Sequence, residues 1–236
     1  MSFDASLSAT AVGSFPHRDA DAACDLVLEC LPEVPVWPQL PMTDPNEQME
    51  IQYSEGIPCT VIEREKGRMF IDTSGDPSAA LEKFYEQYLA DNLDHFAISE
   101  KFSRGIYAME RRLSRADRSG LKYFKMQIIG PVSFGLTIVD EKKRAIYYND
   151  LFRDVVVKAL AIKARWQLRK FKPLCEKQIC FIDEPILSAF GSSTYISVRR
   201  DDVVGYIREV AEAIHQEGAL AGIHCCGNTE WTIPID

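Results

Sequence analysis

Basic residues are scarce in the first quarter of this chain. Arg18 is the only lysine or arginine among residues 1–60, which hold ten acidic residues, and the whole chain has 27 basic against 35 acidic residues, a formal net charge of −8. A negative surface repels nucleic acid and anionic membranes. We therefore expect neither as a partner.

Long apolar runs and secretory signals are also missing. The most apolar stretch, around residues 155–162, is too short to span a bilayer and has charged neighbours. The first residues lack a basic region leading into an apolar one. The seven cysteines, an odd number at irregular spacing, do not form a secreted disulfide framework. These absences predict a cytoplasmic protein with reduced thiols.

The hydrophobic pattern alternates between strands and helices. Strands are expected at residues 9–13, 34–40, 124–129, 179–182 and 219–224, although Pro35 and Pro38 interrupt the second. Helices are expected at residues 19–30, 149–174 and 201–216, with two or three more between 77 and 118, and a β-hairpin excursion near residues 49–72. The alternation predicts an α/β protein with parallel pairing, in a single domain over residues 1–236.

Three of the predicted strands end in polar residues. Gly13-Ser14 follows the first, Asp183-Glu184 follows the fourth, and the last runs into His224-Cys225-Cys226. Ligands of parallel α/β folds bind at the carboxyl ends of the strands. We therefore expect the three motifs to meet at one site.

His224 and Cys226 are candidate metal ligands. They are two residues apart on an extended segment and so share a side, and imidazole and thiolate are preferred ligands of zinc. The alternative is a core histidine beside a buried thiol. Cys225 should face the protein interior.

The other motifs each have a functional and a structural interpretation. Asp183 and Glu184 end a buried run, where carboxylates need a cation or hydrogen-bond donors; they either anchor an ammonium group or act as acid and base, or they fix a loop. Ser14 is either a helix N-cap or a ligand for a substrate carboxylate.

Four motifs in order resemble the catalytic domain of cobalamin-independent methionine synthase, a (β/α)₈ family related to uroporphyrinogen decarboxylase. They are Val12-Gly13-Ser14-Phe15-Pro16, Gly130-Pro131-Val132-Ser133, Ile182-Asp183-Glu184-Pro185 and His224-x-Cys226. The resemblance implies a TIM (β/α)₈ barrel that ends after about five βα units, because a complete barrel needs about 250 residues or more.

The resemblance also implies a zinc-dependent methyltransferase. Zinc would bind the thiol of homocysteine, remove its proton and leave a nucleophilic sulfur that attacks a methyl group. Val12, Gly13 and Ser14 would bind the acceptor's backbone groups and Asp183 its ammonium, with Glu184 beside it, while His224 and Cys226 would be zinc ligands. The family's remaining zinc ligands would lie beyond Asp236, so the resemblance implies an incomplete Zn²⁺ site.

Several functional alternatives stay open at this point. The methyl donor would be a methyl-corrinoid protein or methyltetrahydrofolate, and the product methionine. A corrinoid-linked enzyme with another thiol acceptor, such as coenzyme M, is the second hypothesis. A non-catalytic fragment that holds ligand or metal weakly is the third, and a homo-oligomer is left open.

Overall fold

A computed structural model of the chain describes residues 7–235. The strands are β1 Thr60–Glu63, β2 Arg68–Ile71, β3 Phe124–Ile129, β4 Gln178–Asp183 and β5 Leu220–His224. The α-helices are α1 Ala20–Cys30, α2 Met49–Gln52, α3 Ser78–Leu89, α4 Arg104–Leu113, α5 Pro131–Thr137, α6 Asp150–Phe171, α7 Arg200–Gln216 and α8 Thr232–Ile235. Single 3₁₀ turns lie between several of them.

Strands β3, β4 and β5 form a parallel sheet in that order, and all three were predicted from their hydrophobic runs. The register places Ile129 opposite Asp183 and Asp183 opposite His224, so the carboxyl ends are level. Helices α6 and α7 connect the strands and pack on the sheet and on each other. Side chains at Phe124, Met126 and Ile128 are fully buried.

The two predicted strands at residues 9–13 and 34–40 are extended segments held by single bridges. Ser14 pairs in parallel with Gln39, and Val36 pairs in parallel with Lys125 of β3. Pro35 and Pro38 have no N–H to donate, which prevents a continuous ladder on this segment. Both segments nevertheless continue the parallel arrangement beyond β3.

The prediction of a (β/α)₈ barrel is wrong for the residues described. A barrel requires a sheet that closes on itself, with eight strands in this family of folds. Residues 7–235 form one three-stranded parallel sheet and one two-stranded antiparallel sheet, which share no strand. The architecture is a mixed α/β fold with an open sheet.

The hairpin predicted near residues 49–72 is confirmed in its second half. Strands β1 and β2 pair antiparallel, with Thr60 opposite Ile71 and Glu63 opposite Arg68. The first part of the range forms the short helix α2 instead. A period of two over four residues is too brief to distinguish a strand from one helical turn.

The helices predicted from periodicity are present, with sharper ends. Helix α1 begins after Asp19, whose side chain accepts a hydrogen bond from the backbone N–H of Ala22 at 2.9 Å. Helix α6 begins after Asn149, which caps Phe152 in the same way. No helix within residues 7–235 combines the length and apolarity needed to cross a membrane.

Helix α6 carries a lysine that is fully buried. The Nζ of Lys163 donates to the backbone oxygen of Phe96 at 3.0 Å. Burial lowers the pKa of Lys163 from 10.5 to about 8, and the nearby charge of Glu55 opposes this shift only in part. Folding therefore works against protonation of this amine.

We expect the stability contribution of Lys163 to rise with pH. The folded chain binds this proton less tightly than the unfolded chain does, so the contribution to the free energy of unfolding increases between about pH 8 and about pH 10.5. Urea unfolding of the wild type and of Lys163→Met at several pH values in this window measures the difference. A constant difference across the window would contradict the assignment.

Candidate functional site

The carboxyl ends of the parallel segments border one cleft of about 350 Å³. It is lined by Val12, Ser14, Gln39, Pro41, Gln48, Met49, Glu50, Asp183, Pro185, His224 and Cys226. The lining includes residues from all three motifs that the sequence placed at strand ends. The open sheet therefore brings together Val12, Ser14, Asp183, His224 and Cys226, as expected from parallel topology.

Asp183 is the buried acidic group of this cleft. Its side chain ends β4 and is only 8 % exposed, and its Oδ1 atom is buried without a hydrogen-bond partner. Burial raises the pKa of Asp183 from 3.8 to about 7, although the positive charge of Lys125 opposes the shift. A carboxylate that is buried at the wall of a cleft is stabilised by a cationic donor bound beside it.

Lys125 lies on the same sheet face as Asp183 and contacts Val12, which lines the cleft. It is 2 % exposed; its ammonium donates a hydrogen bond to the backbone oxygen of Val12 and lies 4.9 Å from the centre of the Phe181 ring. Burial lowers the pKa of Lys125 from 10.5 to about 8. The amine ties the first extended segment to β3.

Gly13 allows that segment to approach the sheet. Its φ is +142°, in the range that favours glycine, and a Cβ atom there would lie 2.7 Å from Cδ of Gln127 on β3. A larger residue would push the segment away from β3. Gly13 therefore shapes the wall of the cleft and does not itself line it.

Ser14 is not a helix N-cap, since Asp19 has that role for α1. The Ser14 hydroxyl instead donates to Oε1 of Gln39 at 3.0 Å. Both residues line the cleft.

Glu184 has a structural position, away from the cleft lining. It is fully buried, and its two carboxylate oxygens accept hydrogen bonds from the backbone N–H groups of Val132, at 2.9 Å, and Ser133, at 2.7 Å. Burial raises the pKa of Glu184 to about 7, against the lowering effect of these bonds. Glu184 is not among the residues that line the cleft, and it holds the start of α5, as the loop-fixing alternative for this residue expects.

The expectation of a zinc site at His224 and Cys226 is contradicted. Cys226 Sγ lies 3.2 Å from Nε2 of His224, but no cluster of three or more histidine, cysteine or acidic side chains among the described residues could hold a metal ion. Zinc sites need three or four protein ligands. Two side chains do not supply them, and they contact each other.

His224 remains a polar group of the cleft. Burial, and after it the charge of Lys125, lowers its pKa below the usual 6.5. This shift favours the neutral imidazole, which is the form that accepts a proton. Cys225 packs against the hydrophobic core, as predicted from its position.

Sequence reasoning missed three residues that shape the cleft. Lys125 is a charged residue inside an otherwise buried strand, which was a detectable signal. Gln39 and Gln52 lie in a proline-interrupted segment and a short helix, and nothing in their spacing indicates that they meet.

No family model, curated protein or solved structure matches this chain.

Proposed function

We propose that the cleft binds a small amino-acid thiol, such as homocysteine, as the acceptor side of a methyltransferase. The observation that carries the proposal is Asp183, a largely buried acidic side chain that lines the cleft and has no hydrogen bond to its Oδ1. The resemblance of the four motifs to methionine synthases supplies the thiol and the methyl transfer.

The charges of the cleft favour a ligand with an ammonium group. Among the described lining residues Asp183 and Glu50 are acidic, and lysine and arginine are absent. Binding an ammonium beside Asp183 adds a hydrogen-bonded cationic partner to a carboxylate that Lys125 compensates only in part. The volume of about 350 Å³ accommodates a molecule of amino-acid size.

His224 gives the thiol a proton acceptor in this proposal. A neutral imidazole can take the proton of an acceptor thiol, which leaves a thiolate to attack the methyl group. The bond between the donor and the methyl group breaks as the sulfur–methyl bond forms, and the demethylated donor leaves with the electron pair of the broken bond. The thiol proton stays on the imidazole until solvent removes it.

An acceptor without an ammonium fits this cleft less well. Coenzyme M carries a sulfonate and no ammonium, so it offers the acidic residues of the cleft no cationic partner. The amino-acid thiol is therefore the acceptor that we favour.

Titration calorimetry with L-homocysteine tests the proposal, and L-norvaline, which has a methyl group in place of the thiol, is the comparison ligand. We expect homocysteine to bind, and methylated product to form when methyl-corrinoid or methyltetrahydrofolate is supplied. His224→Asn should reduce transfer at least tenfold with little change in homocysteine affinity, because proton acceptance contributes about 10²-fold or more. Binding without transfer from either donor would support a binding module instead, and no binding would exclude the proposal.

A further inference from the structure

Ser14 ends a chain of three hydrogen bonds that begins at a backbone carbonyl. Nε2 of Gln52 donates to the oxygen of Phe102 at 2.9 Å. Nε2 of Gln39 donates to Oε1 of Gln52 at 2.8 Å, and the Ser14 hydroxyl donates to Oε1 of Gln39 at 3.0 Å.

The direction of every bond in this chain is determined by its first member. A carbonyl oxygen only accepts, so the Gln52 amide must present its nitrogen to Phe102 and its oxygen to Gln39. Gln39 must then present its nitrogen to Gln52 and its oxygen to Ser14. Gln52 is fully buried and Gln39 is 5 % exposed, so burial disfavours a reversed amide that would lose these bonds.

The Ser14 hydroxyl proton is therefore committed to Gln39, and Oγ has only lone pairs left for a ligand. Asp183 lines the same cleft and supplies its buried acidic side chain. We infer that Gln39 and Gln52 are positioning residues that make Ser14 an acceptor, so that the cleft selects an ammonium over a carboxylate at this position.

This inference deepens the proposed function and rests on it for the identity of the ligand. It also reverses the sequence-based expectation for Ser14, which was to bind a substrate carboxylate. A hydroxyl free to rotate could do so, whereas one held by a buried amide cannot without losing that bond.

Two thiols that each lack one charged group of homocysteine separate the alternatives. 3-Mercaptopropylamine keeps the ammonium, and 4-mercaptobutyrate keeps the carboxylate. Calorimetry should show that Ser14→Ala weakens binding of the amine about tenfold, the effect of a hydrogen bond to a charged group, and leaves that of the acid unchanged.

Gln39→Met tests the positioning role. Releasing the Ser14 hydroxyl should lower the affinity for the amine and raise the affinity for the acid. The ratio of the amine affinity to the acid affinity therefore falls, although Ser14 itself is unchanged. If Gln39 had only a structural role, the substitution would weaken the binding of both ligands together. Gln216→Met, on the exposed end of α7, is the matched control and should change neither affinity. Thermal melting confirms folding of each variant, and Ser14→Ala, at an exposed residue, serves if Gln39→Met does not fold.

The outcomes distinguish this inference from the proposed function. If homocysteine binds but Ser14→Ala weakens binding of the acid more than binding of the amine, the inference is overturned and the proposed function stands. If homocysteine does not bind, the proposed function fails. The affinities for propylammonium and butyrate still measure whether the cleft prefers an ammonium to a carboxylate. Wild-type protein that does not bind propylammonium would overturn the inference.

Discussion

Asp183→Asn is expected to weaken binding of the amino-acid thiol at least thirtyfold and to stabilise the free protein. The carboxylate is the charged partner that we assign to the ligand ammonium, and truncating such a buried pair costs about 2–5 kcal/mol, a loss of at least thirtyfold in affinity. Without ligand the same carboxylate is buried with an unpartnered oxygen, which opposes folding.

The pH dependence of stability checks the second half of this expectation. The folded chain holds the Asp183 proton more tightly than the unfolded chain, so the contribution of this group to the free energy of unfolding falls as the pH rises from about 4 to about 7. Three pKa units correspond to about 4 kcal/mol as an upper bound, and we expect about 2 kcal/mol of stabilisation in Asp183→Asn at pH 8.

Urea unfolding at pH 4 and pH 8 provides the measurement. The advantage of the variant over the wild type should be present at pH 8 and absent at pH 4. Asp94→Asn, at an exposed residue, is the matched control. A variant that is less stable than wild type at pH 8 would show that Asp183 has a partner in the free protein.

Gly130→Ala is expected to have the largest effect on folding. A Cβ atom at this position would lie 2.1 Å from Cδ of Glu184, whose oxygens are held by two backbone N–H groups and cannot move away without losing them. Either the strand end shifts or the carboxylate loses its donors. We expect a loss of about 3 kcal/mol or more in the free energy of unfolding.

A double variant tests the cause. Because Glu184→Ala removes the atoms that Gly130→Ala would meet, the two substitutions together should cost less than the sum of their separate effects. Gly120→Ala, where a Cβ atom would meet nothing within 4 Å, should change stability by less than about 0.5 kcal/mol. Additive effects of Gly130→Ala and Glu184→Ala would rule out the contact as the cause.

The sequence predicts the regular part of this fold and fails where a residue's partner is distant in the chain. The run at residues 124–129 is buried on both faces, so its hydrophobicity alone indicates a strand. The segment at residues 34–40 is equally apolar, but its prolines limit it to single bridges, which periodicity does not show. Whether a sheet closes into a barrel depends on which strands are available to pair. The order of strands and helices along the sequence does not determine this.

The candidate site was likewise predictable from the sequence only in part. Strand-end positions correctly grouped Ser14, Asp183 and His224, because parallel topology fixes where strands end. The interpretation of His224 and Cys226 as zinc ligands required further ligands that local spacing cannot supply. The orientation of Ser14 depends on Gln39 and Gln52, whose amides meet only in three dimensions.

The parallel sheet has a consequence for how the cleft is assembled. Each pairing, of β3 with β4 and of β4 with β5, joins segments on either side of a long helix, α6 with 22 residues and α7 with 17. Such non-local pairings form slowly, because the entropy of closing the intervening loop is lost before any contact is gained. Asp183 and His224 therefore become neighbours only when β4 and β5 pair across α7, and we expect the ligand cleft to form late in folding.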